Sequence, residues 1–379
     1  MRTAAVAFFL SLAIAGVLTP VLRELAVRLN LVDEVGSARK IHARPVPRLG
    51  GIAIVIAFFS PLVGLLILET STGDLFLADP RRAFGLFIGG GLIALLGVYD
   101  DVKGVKAWVK LSVQVPVAML MYWLGFKINV IANPFGDPIP LGILGLPLTV
   151  MWVVGLVNAM NLIDGLDGLA GGVSLFAISV TLIIALMKSQ PLMILFCAAL
   201  AGSVLGFLAY NFNPATIFMG DTGSMFLGFV IAITSIQVNQ KSSTAVAILV
   251  PIVALGLPLL DTSLAFLRRS ARGKSPFSAD REHIHHRLLD LGLSQRQAAG
   301  ILYIVCLLLA FSALALTFAG SGWTVGLLSL LAVGAFVFVR RLGLLRRPRR
   351  RLAAGIGNLV VGDPDEHADE DEKDARKIA

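Results

Sequence analysis

Cysteine and charged residues are both scarce in this chain of 379 residues. Its only two cysteines are Cys197 and Cys306, and 15% of the residues are charged, whereas 56% are hydrophobic. Both cysteines fall inside long apolar runs, where a thiol packs as a small hydrophobic group, so neither a disulfide nor a cysteine metal site is expected. This composition excludes an ordinary soluble protein. No polar stretch is long enough for a soluble domain of useful size.

Apolar runs recur along nearly the whole chain, and each is long enough to cross a bilayer. The runs are continuous rather than alternating, which predicts an all-α polytopic integral membrane protein and not a barrel. The first run continues past the cleavage-like Ala13-Ile14-Ala15 to Leu29, so we expect a retained span and not a signal peptide. About eleven transmembrane helices are predicted, at residues 4–27, 51–68, 83–99, 108–126, 144–162, 168–187, 191–210, 223–238, 244–267, 298–318 and 322–339.

Basic residues are shared unevenly between the loops that join these runs. The first, third and ninth loops and the segment after the last run hold most of the lysine and arginine. By the positive-inside rule, the odd-numbered loops and the C-terminus lie on the cytoplasmic side of the plasma (inner) membrane. The N-terminus lies on the opposite, outer side. The net charge of +8 therefore reflects topology, and no nucleic-acid partner is expected. Residues 1–340 form the predicted transmembrane domain, and the basic and then acidic tail at 341–379 is predicted to be disordered.

The segment N-A-M-N-L-I-D-G-L-D-G, residues 158–168, places amides and carboxylates between two apolar runs. Such groups are costly beside lipid. On a helix, Asn158, Asn161 and Asp164 lie near one side, and the glycines around Asp167 let the backbone turn. This cluster of oxygen ligands suits a hard cation and a phosphate-bearing substrate. A polar seam between packed helices is the alternative.

Two adjacent carboxylates, Asp100 and Asp101, end the third run. Neighbouring carboxylates repel, so one has a raised proton affinity unless a cation lies between them. A metal-linked site and a general base both fit, and an ordinary solvated helix end is the alternative. Lys110, farther along, is suited to holding phosphate oxygens. It is equally suited to extending toward the membrane interface.

Asp221 stands in an irregular polar loop, residues 213–224, that opens into the eighth run. The N-terminal amides of that helix can meet an anion. Aspartate is also a common helix N-cap, which is the alternative to a functional role. Beside the other carboxylates, metal ligation is the better interpretation of Asp221.

Three histidines, His283, His285 and His286, precede Arg287 in the ninth loop. Their spacing fits no usual zinc site and cysteine ligands are absent, so we favour contacts to a pyrophosphate, with a solvated basic loop as the alternative. The first loop, with His42 and Arg48, is suited to meeting a lipid phosphate, although any positive-inside loop looks similar. These clusters all lie on the predicted cytoplasmic side, which indicates one shared site. An intramembrane carboxylate, Asp261, is a secondary candidate.

Five ordered motifs between Arg39 and about Ser294 resemble those of the polyprenyl-phosphate N-acetylhexosamine-1-phosphate transferases, of the glycosyltransferase family 4 type. They are R-K-x-H-x-x-P-x-P-R-x-G-G, D-D, N-x-x-N-x-x-D-G-x-D-G, F-M-G-D-T-G-S and H-x-H-H-R. The R-x-G-G and H-x-H-H-R strings are most similar to the bacterial undecaprenyl-phosphate N-acetylglucosamine-1-phosphate transferase branch. The tail after about Arg351 departs from the family and receives no assignment.

The resemblance implies an Mg²⁺-dependent enzyme, in which Mn²⁺ can substitute. It would transfer N-acetylglucosamine 1-phosphate, or a related N-acetylhexosamine 1-phosphate, from a UDP-sugar to polyprenyl phosphate and release UMP. This would be the first membrane step of a cell-envelope glycan such as lipopolysaccharide or teichoic acid. Residues 1–340 would be the catalytic domain, and a homodimer is compatible with the family.

The resemblance also implies roles for single residues. Asp100, Asp101 and Asp164 would be catalytic, with Asp100 as the base that acts on the lipid phosphate. Asp221 and Asn161 would bind the metal. Substrate contacts would come from Asp167, Lys110, Asn158, His283, His285, His286, Arg287, Arg48 and His42.

Other functions are weighed against this one. A phospho-N-acetylmuramoyl-pentapeptide transferase of peptidoglycan synthesis is the alternative inside the family. A secondary transporter would show polar residues near span centres and an internal repeat, whereas here the carboxylates crowd one membrane face. A CDP-alcohol transferase would carry several aspartates at another spacing with an Ala-Arg pair, which the sequence lacks.

Overall fold

The computed structural model describes residues 2–33, 46–67, 71–131, 139–239, 249–273, 282–319 and 321–344. The predicted site residue His42 and almost all of the predicted tail lie outside these ranges. Within them the chain is almost entirely helical. The helices are α1 (Arg2–Arg28), α2 (Gly50–Ile67), α3 (Ser71–Leu77), α4 (Pro80–Lys103), α5 (Ala107–Trp123), α6 (Gly145–Ile163), α7 (Leu169–Met187), α8 (Pro191–Asn211), α9 (Gly220–Asn239), α10 (Leu249–Ala254), α11 (Gly256–Ala271), α12 (Ile284–Asp290), α13 (Gln295–Phe318) and α14 (Ser321–Arg341).

Two short antiparallel strand pairs depart from the all-α prediction. Strand β1 (Val32–Asp33) pairs with β2 (Val46–Pro47), and β3 (Val130–Ile131) pairs with β4 (Ile139–Pro140). Each strand has two residues. A stretch that short shows no alternating pattern, so the sequence carries no period by which to predict it.

Nine helical segments in the described ranges are long and apolar enough to cross a membrane. They are α1, α2, α4, α6 with the 3₁₀ turn before it, α7, α8, α9, α13 and α14. The chain is therefore a polytopic, membrane-embedded protein, as predicted. Both cysteines are buried and unpaired.

The other two predicted runs take a different form. Helix α5 has 17 residues, which is near the lower limit for a span. The run at 244–267 lies partly outside the described residues and is otherwise divided into α10 and α11 around Leu255. Pro258 lacks an amide hydrogen, and its ring crowds the carbonyl of Ala254, so an unbroken helix is disfavoured there. The count of eleven spans and the orientation of the termini stay predictions.

Helix α9 forms the centre of the bundle. Its residues from Met225 to Ile233 are buried, and α2, α4, α6, α7 and α8 pack around it. α9 starts at the end of the bundle where α4 and α6 finish, because it lies antiparallel to both. The polar residues at the end of α4, the end of α6 and the start of α9 are thereby brought together.

Glycine lets the first turn of α9 pack directly on its neighbours. A Cβ atom on Gly97 of α4 would lie 2.3 Å from the Cα atom of Thr222. A Cβ atom on Gly51 of α2 would lie 2.1 Å from the backbone nitrogen of Gly223. Contacts this close between backbones are what small residues at membrane-helix interfaces permit. The position of Asp221 therefore depends on these glycines.

We expect Gly97→Ala to displace the start of α9, lower the thermal unfolding midpoint and reduce activity more than tenfold. Overpacking a tight contact costs about 1–3 kcal/mol or more, and here the obstructing atoms are backbone. Gly91→Ala is the matched control, because a Cβ atom on Gly91 of the same helix meets no atom within 4 Å. Unfolding in detergent and activity are measured for both variants. Equal behaviour of the two would contradict the packing argument.

Candidate active site

Asp100, Lys110 and Asp221 meet at the shared end of α4, α5 and α9. The ammonium group of Lys110 forms ion pairs with both carboxylates. The Asp100 side chain is 6% exposed, whereas that of Asp221 is 33% exposed. The second oxygen of Asp100 accepts a hydrogen bond from the backbone nitrogen of Val105 at 2.6 Å. Two carboxylates thus converge on one cation at a partly open position.

Asp101 points away from this ammonium and caps α9. Its two carboxylate oxygens accept hydrogen bonds from the backbone nitrogens of Asp221, at 2.7 Å, and Thr222, at 3.0 Å. The Thr222 hydroxyl donates a third at 2.6 Å. The anion expected at this helix N-terminus is therefore a side chain of the protein itself. This geometry makes Asp101 a residue that positions Asp221, and its catalytic role stays a prediction.

Gly220 makes this cap possible. It has φ of 71°, a region that L side chains rarely adopt. A Cβ atom there would lie 2.4 Å from the carbonyl oxygen of Arg48 and 2.6 Å from a carboxylate oxygen of Asp101. The chain can therefore turn into α9 against both groups only without a side chain at this position.

Asn161 contacts the same carboxylate as Lys110. Its amide nitrogen donates to Asp221 at 2.9 Å and to the Ser224 hydroxyl at 3.0 Å. Ser224 in turn donates to the carbonyl of Gly220 at 3.0 Å. The structure thus brings together the two predicted metal ligands, Asn161 and Asp221.

Asp164 follows the last residue of α6 and is partly exposed. Burial among protein atoms raises the pKa of Asp164 well above its usual range, and the carboxylates of Asp221, Asp101 and Asp167 raise it further. Negative charge is therefore crowded at this end of the bundle. Such surroundings favour a bound cation or a proton.

Asn158 lies one turn deeper and belongs to a polar seam between helices. Its amide nitrogen donates to Gln114 of α5 at 2.7 Å and to the carbonyl of Val154 at 2.8 Å. Gln114 is 1% exposed and extends toward the Met225 sulfur of α9 at 3.5 Å. These contacts agree with the alternative of a polar seam between packed helices for Asn158, and its substrate contact stays a prediction.

Asp167 holds the loop that leads into α9. Its carboxylate, buried with 5% exposure, accepts hydrogen bonds from the Asn213 amide at 2.9 Å and from the backbone nitrogen of Ala215 at 3.0 Å. Asn211 ties the same regions together through the backbone of Gly168, at 3.1 Å, and of Ile217, at 2.9 Å. In this structure Asp167 braces the loop, where the sequence suggested a substrate contact.

The loop is also tied to the start of α2. The backbone nitrogens of Gly50 and Gly51 donate to the carbonyls of Phe218, at 3.0 Å, and Met219, at 2.8 Å. The R-x-G-G motif with Arg48 therefore binds the F-M-G-D motif through its backbone. The predicted substrate contact of Arg48 stays a prediction.

The secondary candidate Asp261 organises the histidine motif. Its buried carboxylate lies 2.8 Å from Nδ1 of His283 and accepts a hydrogen bond from the backbone nitrogen of Ile284 at 2.8 Å. The second contact satisfies an amide at the start of α12. Asp261 thereby sets both the orientation of the His283 ring and the beginning of this helix.

His285 packs against the glycine turn after α6. A Cβ atom on Gly165 would lie 2.3 Å from its Nε2 atom, and its ring is parallel to that of His283 with centroids 5.8 Å apart. Neither ring nitrogen has a hydrogen-bond partner in the described part of the chain. Burial lowers the pKa of His285 to about 3, and the neighbouring His286 contributes. The ring is therefore neutral at pH 7 and cannot be a cationic phosphate contact. The ring centroids of His285 and His286 are 4.2 Å apart.

Arg287 is directed elsewhere. Its Nε donates to the carbonyl of Leu342, just after α14, at 3.1 Å, and its guanidinium lies 3.6 Å from Asp290. These contacts join α12 to the end of α14. The pyrophosphate contact predicted for Arg287 stays a prediction.

Comparison with known proteins places this geometry in a family. The family model described as Glycosyl transferase family 4 matches residues 83–239. The probable undecaprenyl-phosphate N-acetylglucosaminyl 1-phosphate transferase of Bacillus subtilis is 40% identical over 313 residues, which cover 82% of this chain and 84% of that protein. The chain belongs to glycosyl transferase family 4.

Further relatives carry related names. The decaprenyl-phosphate N-acetylglucosaminephosphotransferase of Mycolicibacterium smegmatis is 35% identical over 351 residues, covering 86% of this chain and 84% of that protein. The undecaprenyl-phosphate alpha-N-acetylglucosaminyl 1-phosphate transferase of Escherichia coli K12 is 29% identical over 296 residues, covering 76% and 77%. The family 4 match spans the whole carboxylate cluster from Asp100 to Asp221.

The carboxylates of this family 4 chain fit a magnesium ion without forming a closed cage. In the described ranges, no group of three or more histidine, cysteine, aspartate or glutamate side chains is arranged to hold a metal. Mg²⁺ is commonly held by one or two carboxylates, with substrate phosphates and waters supplying the other ligands. Asp100 and Asp221 already converge on the ammonium of Lys110. This donor set therefore suits an ion that arrives with the substrate.

Several residues of the site were missed in the sequence. Gln114, Asn211 and Thr222 each make a buried polar contact that positions a predicted residue. Gln114 could have been recognised from the sequence, because a side-chain amide in the middle of an apolar run needs a hydrogen-bond partner. Asn211 lies just before the polar loop and Thr222 lies within F-M-G-D-T-G-S, and nothing in their spacing distinguishes either residue.

Proposed function

We propose that this family 4 protein transfers N-acetylglucosamine 1-phosphate, or a related N-acetylhexosamine 1-phosphate, from a UDP-sugar to polyprenyl phosphate, releasing UMP. The observation that carries the proposal is the convergence of Asp100 and Asp221 on Lys110 at one end of the membrane helices. Relatives that match more than three quarters of the chain are named for N-acetylglucosamine 1-phosphate transfer to a polyprenyl phosphate. Those names favour this donor over a pentapeptide-bearing one.

The reaction exchanges one phosphoanhydride for another. An oxygen of the lipid phosphate forms a bond to the sugar-bearing phosphorus, and the bond from that phosphorus to UMP breaks. Positioning and charge stabilisation therefore make up most of the catalysis. The buried Asp100 is placed to keep the lipid phosphate deprotonated, and Lys110 to contact phosphate oxygens.

Asp221 would hold Mg²⁺, with Asn161 beside it. The ion supplies charge that neutralises the donor pyrophosphate. Asp101 keeps the Asp221 carboxylate in place through the α9 cap, and Asn161 fixes its direction. Asp164, whose pKa is raised by burial and by the surrounding carboxylates, would take up a proton or face a cation at the same end of the bundle.

The cluster lies at helix ends and not at span centres, which disfavours the transporter alternative. We assign it to the cytoplasmic face of the plasma membrane, because the loops at this end carry the basic residues. A homodimer stays a prediction of the family resemblance.

Purified protein with polyprenyl phosphate, Mg²⁺ and a panel of UDP-sugars tests the function. We expect UMP release with UDP-N-acetylglucosamine only when the acceptor is present, loss of release in excess EDTA, and recovery with Mg²⁺ or Mn²⁺. Failure of every UDP-sugar in the panel would overturn the proposed reaction. Full activity in EDTA would contradict the metal requirement alone.

A two-step route through an aspartyl-phosphate is the rival mechanism. Direct attack is favoured because a lipid phosphate dianion is already a competent nucleophile. A burst of UMP before the acceptor is added, equal in amount to the enzyme, would contradict direct attack. It would leave the overall reaction intact.

A further inference from the structure

A cavity of about 260 Å³ lies at the end of the bundle opposite the carboxylate cluster. It is lined by α3, the start of α4, the turn between α7 and α8, and the end of α9. Helix α4 runs from Asp79 beside this cavity to Asp100 in the cluster, and α9 runs from Asp221 in the cluster to Gln237 beside the cavity. Helices of about 20 residues span about 30 Å. The two sites are therefore separated by the thickness of a membrane.

One polar atom in this cavity has no hydrogen-bond partner in the described part of the chain. Gln237 is 8% exposed, and its Oε1 atom is buried without a partner. A buried acceptor left unsatisfied is unfavourable, and native structures rarely leave one so. The cavity therefore favours an occupant that presents a hydrogen-bond donor to Gln237.

The charged groups of the cavity favour an anion. Lys188 and Arg82 line it together with one carboxylate, Asp79, which lies 3.2 Å from Arg82. The ammonium of Lys188 donates to the carbonyl of Val238 at 3.1 Å. Lys188 is half-buried, and this burial lowers the pKa of its ammonium group. A phosphate group would supply the additional negative charge.

Apart from Ser189 and Gln190 in the turn between α7 and α8, the rest of the lining is apolar. Phe76, Phe126 and Phe196 form the walls, and Leu75 at the rim is 48% exposed. The turn between α7 and α8 marks the depth at which two apolar helices end. A half-open cavity that combines charged groups with apolar walls at that depth matches the junction between a lipid headgroup and its acyl chains.

We propose that this cavity binds the headgroup of an anionic phospholipid whose phosphodiester carries a hydroxyl group, as in phosphatidylglycerol. The phosphate contacts Lys188 and Arg82, and a headgroup hydroxyl donates to Gln237. A choline headgroup has no hydrogen-bond donor and leaves Gln237 unsatisfied. The site is distinct from the transferase site and does not depend on the reaction proposed there.

Lipid binding to the purified full-length protein is measured by native mass spectrometry and by the thermal unfolding midpoint. The lipids are phosphatidylglycerol and phosphatidylcholine with matched acyl chains. Phosphatidylglycerol is expected to bind more tightly and to raise the midpoint more. We expect Lys188→Gln to weaken phosphatidylglycerol binding about tenfold, the size expected for losing a hydrogen bond to a charged group. Gln237→Met should weaken it about three- to tenfold, the size expected for a hydrogen bond between neutral groups. Binding of phosphatidylcholine should change little in both variants.

Lys127→Gln is the matched control, because it removes a lysine at the same end of the bundle that does not line the cavity. It should bind phosphatidylglycerol like the parent protein. Equal preference for the two lipids in the parent, or equal weakening by all three substitutions, would overturn the proposal. Binding of soluble glycerol phosphate as tight as that of the lipid would assign the cavity to a free phosphate and contradict a lipid site. Because the two lipids are compared within each variant, a general loss of stability does not imitate the result.

Discussion

Asp221→Asn is expected to lower the rate of sugar-phosphate transfer by about 10²- to 10³-fold, the size typical of losing a group that stabilises charge in the transition state. The substitution removes a negative charge that Lys110 and Asn161 both contact. It leaves the α9 cap intact, because Asp101 binds the backbone nitrogen of residue 221 and not its side chain. The variant should therefore fold and lose activity.

The comparison needs activity, stability and metal response in the same preparation. Asp74→Asn is the control, because it makes the same chemical change on α3, far from the cluster. We expect its activity and unfolding midpoint to equal those of the parent. Asp221→Asn should also need a higher Mg²⁺ concentration for half-maximal rate. Full activity of Asp221→Asn at low Mg²⁺ would refute the role of this carboxylate.

The membrane architecture could be predicted because it follows from composition. Each long span is a continuous apolar run, and runs of that kind need no partner to be recognised. The break between α10 and α11 could not be predicted in this way, because the apolar run that contains Pro258 also fits one continuous helix. The short strand pairs depend on segments that meet across a loop. Local pattern cannot specify such pairings.

The structure brings several of the predicted site residues together, whereas their roles stay predictions. Asp100, Lys110, Asn161 and Asp221 are brought together as the shared site requires. Asp101 stands beside Asp100 in the chain, yet its hydrogen bonds reach residues 120 and 121 positions away. Adjacent residues on a helix point about 100° apart. A pair of neighbouring carboxylates therefore serves two different partners, and only the packed structure shows which.

The histidine motif shows a second reason why the roles of site residues are hard to predict from sequence. Three histidines beside arginine read as a cationic cluster, because free histidine is close to titrating at pH 7. Burial of His285 against Gly165 removes that possibility for one of them. Its charge state is set by tertiary packing, and the sequence holds no local sign of it.

We expect Lys110→Met to reduce activity by at least about a hundredfold, in the range seen when a group that stabilises transition-state charge is removed. It should also lower the thermal unfolding midpoint. Removing one partner of a buried ion pair costs about 3–5 kcal/mol, because the remaining charge is left uncompensated. Here two carboxylates, Asp100 and Asp221, would lose the same ammonium. The partial exposure of Asp221 places the expected loss toward the lower end of that range.

The two effects of Lys110 separate in Lys110→Arg. Arginine keeps the positive charge between Asp100 and Asp221, so the unfolding midpoint should recover most of the loss. Its planar, longer guanidinium places the charge differently, so activity should stay low.

The Lys110→Met variant should also bind Mg²⁺ more tightly than the parent, measured by calorimetry, because the lysine ammonium no longer competes for the two carboxylates. Unchanged metal affinity in Lys110→Met would show that the ion does not bind where the ammonium lies.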